Sequence, residues 1–296
     1  MSSIPDDLEQ LLAHSPVQAM TLAERRLLPI VQGGMGIGVS GHRLAGTVAG
    51  LGGVGTLSSV DLRRHHPDLM ERTTGLPQND QAKVAINAAN LEALDRDIAS
   101  ARTLSQGRGL LAINIMRAVT EYAAAVKRSL EAGIDAVVVG AGLPLDLPDL
   151  ASDHPKALLI PILSDARGVQ LLVKKWARKN RLPDAIIIEH PRLAGGHLGA
   201  ARISDLNDPR FDFERVIPES MAFFKSAGLE KDIPLIAAGG IRSLADIRRV
   251  QNLGAAGVQL GTPFAVTEEG DAHPEFKRVL AQARDEDLAE FTSVAG

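Results

Sequence analysis

The 296-residue sequence contains no cysteine, which excludes disulfides, thiolate metal sites and cysteine nucleophiles together. Aromatic residues make up only 3% of the chain, with one tryptophan and one tyrosine. So few rings argue against a surface that stacks nucleic-acid bases. The formal net charge is −4, so the chain has no global attraction for nucleic acid or for an anionic membrane.

Long hydrophobic runs are also absent. No stretch of about 18 apolar residues occurs, and the acidic start of the chain lacks the basic and apolar regions of a signal peptide. We therefore expect no membrane partner and take the cytoplasm as the default location. Apolar residues at 45% and charged residues at 23% are typical of a globular protein that is long enough to bury a full core.

What the chain does contain is a regular alternation of short apolar runs with longer stretches of helical periodicity. The runs are Pro29–Gly33, Gly53–Leu57, Leu110–Ile115, Asp135–Val139, Ala157–Leu163, Asp184–Glu189, Pro234–Ala238 and Gly257–Gly261. Several are apolar throughout, which is typical of strands buried on both faces. Eight strand–helix units at about 37 residues each predict an α/β fold, a (β/α)8 TIM barrel with long βα loops that form a small lid region. An open doubly wound sheet is the rival.

The helical stretches between these runs have recognisable ends. We predict helices at Thr120–Ala132 with Thr120 as the N-cap, at Val169–Lys179, and at Leu244–Leu253 after Ser243. Another long helix is predicted within 82–106.

The domain boundaries follow from these elements. We predict a lead-in over residues 1–28, a (β/α)8 barrel over 29–270 with inserted loops at 58–109 and 190–233, and a C-terminal helical segment over 271–296. Long βα loops lie at the catalytic face of such barrels and shape its site.

Glycine turns follow the last two predicted strands. Gly239 and Gly240 end the seventh run, and Gly261 and Thr262 end the eighth. In barrels the loops after strands seven and eight form a phosphate site from backbone N–H groups. We predict that these four residues bind a phosphate, and the alternative is a pair of barrel-closing turns without a ligand.

A third glycine turn follows the first predicted strand and contains Gly34 and Met35. Its glycines do not have the GxGxxG spacing of a dinucleotide site, and no acidic residue ends the second strand. We interpret the turn as a backbone surface that a flat ring can approach closely, because glycine has no side chain. The alternative is a tight glycine turn without a ligand.

The loop after the sixth strand carries the histidine best placed for chemistry. His197 lies between glycines, so we predict it to be the catalytic base. His190 at the strand end is the competitor and is expected to orient the loop. The remaining histidines, among them His42, His65 and His66, are expected at the surface or the periphery. No histidine pair has the spacing of a helical metal site, so we predict no catalytic metal.

These segments together resemble one known family. The stretches PIVQGGM (29–35), AGGHLG (194–199), AGGI (238–241) and QLGT (259–262), with Asn114 in the third strand, occur in the order found in nitronate monooxygenases, formerly 2-nitropropane dioxygenases. The resemblance spans Pro29 to about Glu275. It implies an FMN-dependent TIM-barrel oxidoreductase that converts alkyl nitronates or nitroalkanes with O2 into a carbonyl compound and nitrite. Relatives usually continue past residue 296, so we expect part of a capping segment to lie beyond it.

The resemblance also implies roles for single residues. Those implied to bind FMN are Gly34, Met35, Asn114, Gly195, Gly196, Gly239, Gly240, Gln259, Gly261 and Thr262. His197 matches the histidine that acts as base on neutral nitroalkanes. The implied partners are a small-molecule nitronate or nitroalkane and O2, with a homodimer allowed.

Two alternatives remain open. FMN-dependent enoyl-acyl-carrier-protein reductases and NADH:quinone reductases use NAD(P)H, and they share the barrel and the Gly-Gly-His loop. The stretch from Glu189 to Leu193 is not one that assigns this chain to the oxygenases specifically. A non-catalytic barrel that binds a phosphorylated ligand is the alternative from another class.

Overall fold

The computed structural model of the protein describes residues 3–195, 200, 202–229 and 232–289. Within them, eight parallel strands form a closed barrel, which confirms the predicted fold class. The strands of the barrel are β3 (Ile30–Gln32), β4 (Val54–Ser58), β5 (Leu110–Met116), β6 (Ala136–Gly140), β7 (Leu158–Leu163), β8 (Ile186–Glu189), β9 (Leu235–Ala238) and β10 (Gly257–Leu260). Each pairs with its neighbours in chain order, and β10 closes the barrel against β3. All eight predicted strands are confirmed to within two residues.

Helices connect the strands and form the outer layer. They are α1 (Asp6–Ala13), α2 (His42–Gly50), α3 (Pro67–Thr73), α4 (Asp80–Ser105), α5 (Tyr122–Glu131), α6 (Leu147–Leu150), α7 (Ala166–Ala177), α8 (Phe213–Ala227), α9 (Leu244–Asn252), α10 (Thr262–Ala265) and α11 (Pro274–Gln282). The long inserted loops contain α3 and α4 on one side and two 3-10 turns before α8 on the other. No described helix combines the length and apolarity needed to cross a membrane.

Alternation along the strands separates two apolar layers, because successive side chains point to opposite faces. Ala112 on β5, Val138 on β6 and Ile187 on β8 belong to the buried cluster that fills the barrel. Their neighbours in the chain, such as Ile113 and Ile188, belong to the cluster packed against the helices. Both layers are apolar, which explains why the strands read as continuous apolar runs.

One local expectation is corrected and one is confirmed. The lead-in contains α1 and an antiparallel hairpin of β1 (Met20–Leu22) and β2 (Arg25–Leu27). Helix α5 begins at Tyr122, two residues after the predicted N-cap Thr120. A turn precedes it, in which the Tyr122 backbone N–H donates to the Val119 carbonyl. Glu121 is therefore the N-cap residue, and its side chain makes no capping hydrogen bond. Ser243 does cap α9, through a capping box with Asp246.

Candidate active site at the barrel mouth

The carboxyl ends of all eight strands open at the same end of the barrel, because the strands are parallel. This end is the barrel mouth. Of the residues predicted for a site, the structure brings together there those of the turns after β3, β9 and β10, the β5 side chain Asn114, and the start of the loop after β8. Gly196 and His197 lie outside the described residues.

The turn after β3 packs directly on β5. A Cβ atom at Gly34 would overlap the Cβ atom of Asn114, so only glycine fits this approach. Asn114 is partly exposed and faces inward, two positions after Ala112. The Met35 N–H donates to the Ser40 hydroxyl oxygen at 2.8 Å, which holds the turn. Met35 then reaches the turn after β10, with its sulfur 3.6 Å from where a Cβ at Gly261 would stand.

The turns after β9 and β10 expose backbone donors. Gly239 has φ +112° and Gly240 has φ +68°, values that L side chains rarely adopt. In the described chain, the amides of Gly239, Gly240 and Thr262 donate no turn or loop hydrogen bond to a backbone carbonyl. The Thr262 side chain is exposed at the start of α10. These groups can bind an anion such as a phosphate.

His190 anchors the loop after β8. Its N–H donates to the Ala238 carbonyl at 2.9 Å, and its Nδ1 accepts the Arg192 N–H at 3.3 Å. Nε2 lies 3.7 Å from a carboxylate oxygen of Asp212. Burial lowers the pKa of His190, against the opposing effect of Asp212. These contacts fit the orienting role expected for His190.

The anchored loop lies over the phosphate turn. A Cβ at Gly240 would be 3.0 Å from Cδ1 of Leu193, and one at Gly239 would be 3.1 Å from the Ala194 nitrogen. No described atom lies within 4 Å of where a Cβ at Gly195 would stand. The contacts with Gly239 and Gly240 place Leu193 at the edge of the barrel mouth.

Two polar side chains face the barrel mouth without a partner among the described residues. The Gln259 Oε1 atom is buried and accepts no hydrogen bond. Glu189 ends β8, is 9% exposed, and burial raises its pKa to about 7. The sequence interpretation missed Glu189, treating it only as the end of a strand. The available signal was the acidic Glu189 at the end of the apolar run Ala185–Ile188.

A second polar cluster corrects the expectation for three histidines. His42, His65 and His66 do not stand alone at the surface, because all three contact the carboxylate of Asp97, which is fully buried on α4. The closest contact joins His42 Nδ1 to Asp97 Oδ1 at 2.9 Å. The group abuts the loop after β3, since a Cβ at Gly41 would lie 2.6 Å from His65. No group of His, Asp and Glu in the described ranges is arranged to hold a metal ion.

Comparison with solved structures shows the same architecture. FabK from Thermotoga maritima superposes with a TM-score of 0.62 at 21% identity, covering 95% of this chain and 68% of that one. Nitroalkane oxidase from Streptomyces ansochromogenes superposes with a TM-score of 0.57 at 22% identity, covering 85% of this chain and 70% of that one. At these identities the likeness establishes the barrel fold alone.

Sequence comparison establishes the family. A probable nitronate monooxygenase of Staphylococcus saprophyticus is 24% identical over 280 residues, which cover 90% of this chain and 73% of the relative. The sequence model described as nitronate monooxygenase matches residues 20–296, nearly the whole chain. The chain therefore belongs to the nitronate monooxygenase family of oxidoreductases.

Proposed function

We propose that this chain is an FMN-dependent nitronate monooxygenase that converts alkyl nitronates or nitroalkanes with O2 into a carbonyl compound and nitrite. The observation that carries the proposal is the set of three glycine turns after β3, β9 and β10, which meet at the barrel mouth of a chain from this family. One turn accommodates a flat ring and two present free amides to an anion. A phosphorylated ring compound is the ligand that such a set fits best.

The residues present fit FMN. The close approach of Gly34 to Asn114 leaves a flat backbone surface for the ring, with Met35 beside it. The amides at Gly239, Gly240, Gly261 and Thr262 would hold the phosphate. The unpartnered Oε1 atom of Gln259 would accept a hydrogen bond from the ligand. Gly195 and Gly196 would approach the ribityl chain.

The chain's own residues would bind and prepare the substrate. When bound, FMN supplies the redox chemistry between the nitronate and oxygen. His197 would take the proton from the α-carbon of a neutral nitroalkane, and as an imidazolium it would then hold the resulting anion. Leu193, packed on Gly240, would help to keep water from the ligand.

The competing function is an FMN-dependent reductase that uses NAD(P)H. Anaerobic mixing of the FMN-loaded protein with a nitronate, and separately with NADH or NADPH, discriminates the two by the bleaching of flavin absorbance. We expect the nitronate to bleach the flavin and the nicotinamides to leave it oxidised. Oxygen uptake with nitrite release should accompany turnover in air.

Rapid bleaching by NADH or NADPH, with none by a nitronate, would instead establish the reductase. A protein that remains colourless after incubation with FMN would overturn both flavoenzyme functions. That result would favour the non-catalytic barrel that binds a phosphorylated ligand.

A further inference from the structure

Glu189 points into the barrel and not toward the helices. It follows Ile187 by two positions, and Ile187 belongs to the cluster that fills the barrel. Ile188 between them packs in the outer layer. Because side chains two positions apart on a strand share a face, the Glu189 carboxyl lies on the inward face at the last position of β8, where the barrel mouth begins.

The neighbouring strands leave space in front of this carboxyl. Glu189 is in register with Ala238 on β9, and Ala238 is in register with Gln259 on β10. Ala238 between them carries only a methyl group. The two polar side chains therefore flank a short gap on the order of 10 Å wide, or two strand spacings. Each is about nine-tenths buried.

Both flanking groups lack a protein partner within the described chain. Gln259 Oε1 accepts no hydrogen bond, and burial alone accounts for the shift of the Glu189 pKa to about 7, with no hydrogen bond contributing. Buried polar groups are normally satisfied, so the unsatisfied Gln259 Oε1 atom, with the unpartnered Glu189 carboxyl across the gap, points to a ligand as the missing partner.

The charged groups around Glu189 are engaged elsewhere. On its own strand end, His190 contacts Asp212. After β7, the Asp165 carboxylate accepts the Gly168 N–H at 2.7 Å at the start of α7. β9 and β10 present no titratable side chain, only Ala238 and Gln259. His197, in the same loop as His190, lies outside the described residues, and its titration has to be separated from that of Glu189.

We propose that Glu189 acts in its neutral form as a hydrogen-bond donor to the ligand at the barrel mouth, so that a ligand atom carrying negative charge binds well only while Glu189 keeps its proton. The inference rests on the proposed function, because that function supplies the ligand. The acceptor atom could belong to FMN or to the nitronate, and both share this chemistry. An ionised Glu189 would repel either one in a site of low dielectric.

The test compares wild type with Glu189→Gln, which keeps a donor of the same shape but cannot ionise. The control is Glu269→Gln at an exposed position. One arm measures the affinity of the FMN-free protein for FMN. The other measures the affinity of the FMN-loaded protein for nitrite, which stands in for the nitronate because both carry negatively charged oxygens on nitrogen. Each is measured at pH 6.5 and 8.5. At each pH the affinity of wild type is divided by that of Glu189→Gln. This normalised affinity removes the pH effects that both proteins share, namely the titration of the ligand and of His197.

We expect the normalised affinity to fall by about 25-fold between the two pH values in one arm, as a carboxyl with a pKa of about 7 requires. The arm that responds identifies the source of the acceptor atom. Infrared spectra of wild type should also show a protonated carboxyl band at pH 6.5 that disappears at 8.5 and is missing in Glu189→Gln.

Normalised affinities that are flat in both arms, or a Glu189 already ionised at pH 6.5 by infrared, would overturn the inference and leave the proposed function intact. If wild type binds FMN neither at pH 6.5 nor at pH 8.5, the inference and the proposed function are both overturned. The infrared measurement on wild type keeps the test valid if Glu189→Gln does not fold.

Discussion

A Cβ atom at Gly34 would overlap the Cβ atom of Asn114 and lie 3.1 Å from its Cγ atom. The same Cβ would be 3.2 Å from the Leu57 carbonyl oxygen. The backbone of the turn after β3 therefore packs directly on the Asn114 side chain of β5 and on the Leu57 carbonyl of β4. This contact fixes the surface that we assign to the flat ring of the ligand.

Gly34→Ala should consequently push the turn away from β5. We expect a loss of about 1–3 kcal/mol in the free energy of unfolding, which is typical of overpacking, together with weaker FMN binding. Urea denaturation and FMN titration measure the two effects. Asn114→Ala in the same chain should not restore stability, because alanine keeps the clashing Cβ atom.

The matched control is Gly168→Ala in α7. The atom nearest to a Cβ added at Gly168 is the Asp165 Oδ1 atom, at 3.3 Å. Alanine favours a helix, so this variant should lose less than about 1 kcal/mol. Equal losses of unfolding free energy in the two variants would show that the close approach of Gly34 to Asn114 does not make an added Cβ more destabilising there.

The turn after β9 allows strain and ligand binding to be separated. Gly240→Ala places an L side chain at φ +68°, beside Leu193, in the turn that we assign to the phosphate. Gly228→Ala imposes nearly the same strain at φ +70°, at the end of α8, where no described atom lies within 4 Å of the added Cβ. Both variants should lose about 1–2 kcal/mol of stability from the left-handed backbone.

Only Gly240→Ala should also weaken FMN binding to the FMN-free protein, by tenfold or more in the dissociation constant. Fluorescence titration with FMN measures this at a temperature where both variants are folded. Similar FMN affinities for the two variants would place the phosphate away from Gly240.

The barrel itself could be predicted from sequence because its strands are buried on both faces and so appear as apolar runs between glycine turns. The hairpin of β1 and β2 could not. Its turn residues Ala23 and Glu24 both have positive φ, at 50° and 61°, yet neither is the glycine or asparagine that marks such turns. No local pattern in the sequence therefore reveals the hairpin.

The site was predictable only in part, for a similar reason. Glycine turns are visible in the sequence, and the three predicted here lie together at the barrel mouth. The carboxylate of Asp97 lies 55 residues from His42 along the chain, and only the fold brings the two together. Glu189 gains its unusual character from burial, which a sequence does not display.

His197 carries the prediction that addresses the proposed reaction most directly. His197→Asn should abolish turnover of neutral nitroalkanes, while preformed nitronates should retain a larger share of their rate. The reason is that only the neutral substrate needs a base to remove its α-proton. Oxygen uptake with each form of one nitro compound makes the comparison, and an equal loss on both would contradict a base role.

Asp97 and its histidines should make the stability of the protein depend on pH. Hydrogen bonds to Asp97 raise the pKa of His42 and of His65, against the opposing effect of burial. Burial disfavours ionised Asp97, yet its hydrogen bonds to both histidines prevail and lower its pKa to about 2. A histidine whose pKa is higher in the folded state stabilises it fully below the unfolded value near 6.5, and less as pH rises through the folded pKa.

Wild type should therefore lose stability as the pH rises from about 6 to 9, while Asp97 remains ionised throughout this range. Asp97→Asn should cost about 1–3 kcal/mol at pH 6, because it removes a buried charge-assisted acceptor. It should reduce the slope without abolishing it, because Glu189, whose pKa burial raises to about 7, also loses a proton of the folded state in this range. Urea denaturation at several pH values measures both. Asp68→Asn is the control, because Asp68 pairs with Arg96 at the surface, and it should lose less stability than Asp97→Asn. An unchanged slope in Asp97→Asn would show that these histidines do not titrate with folding.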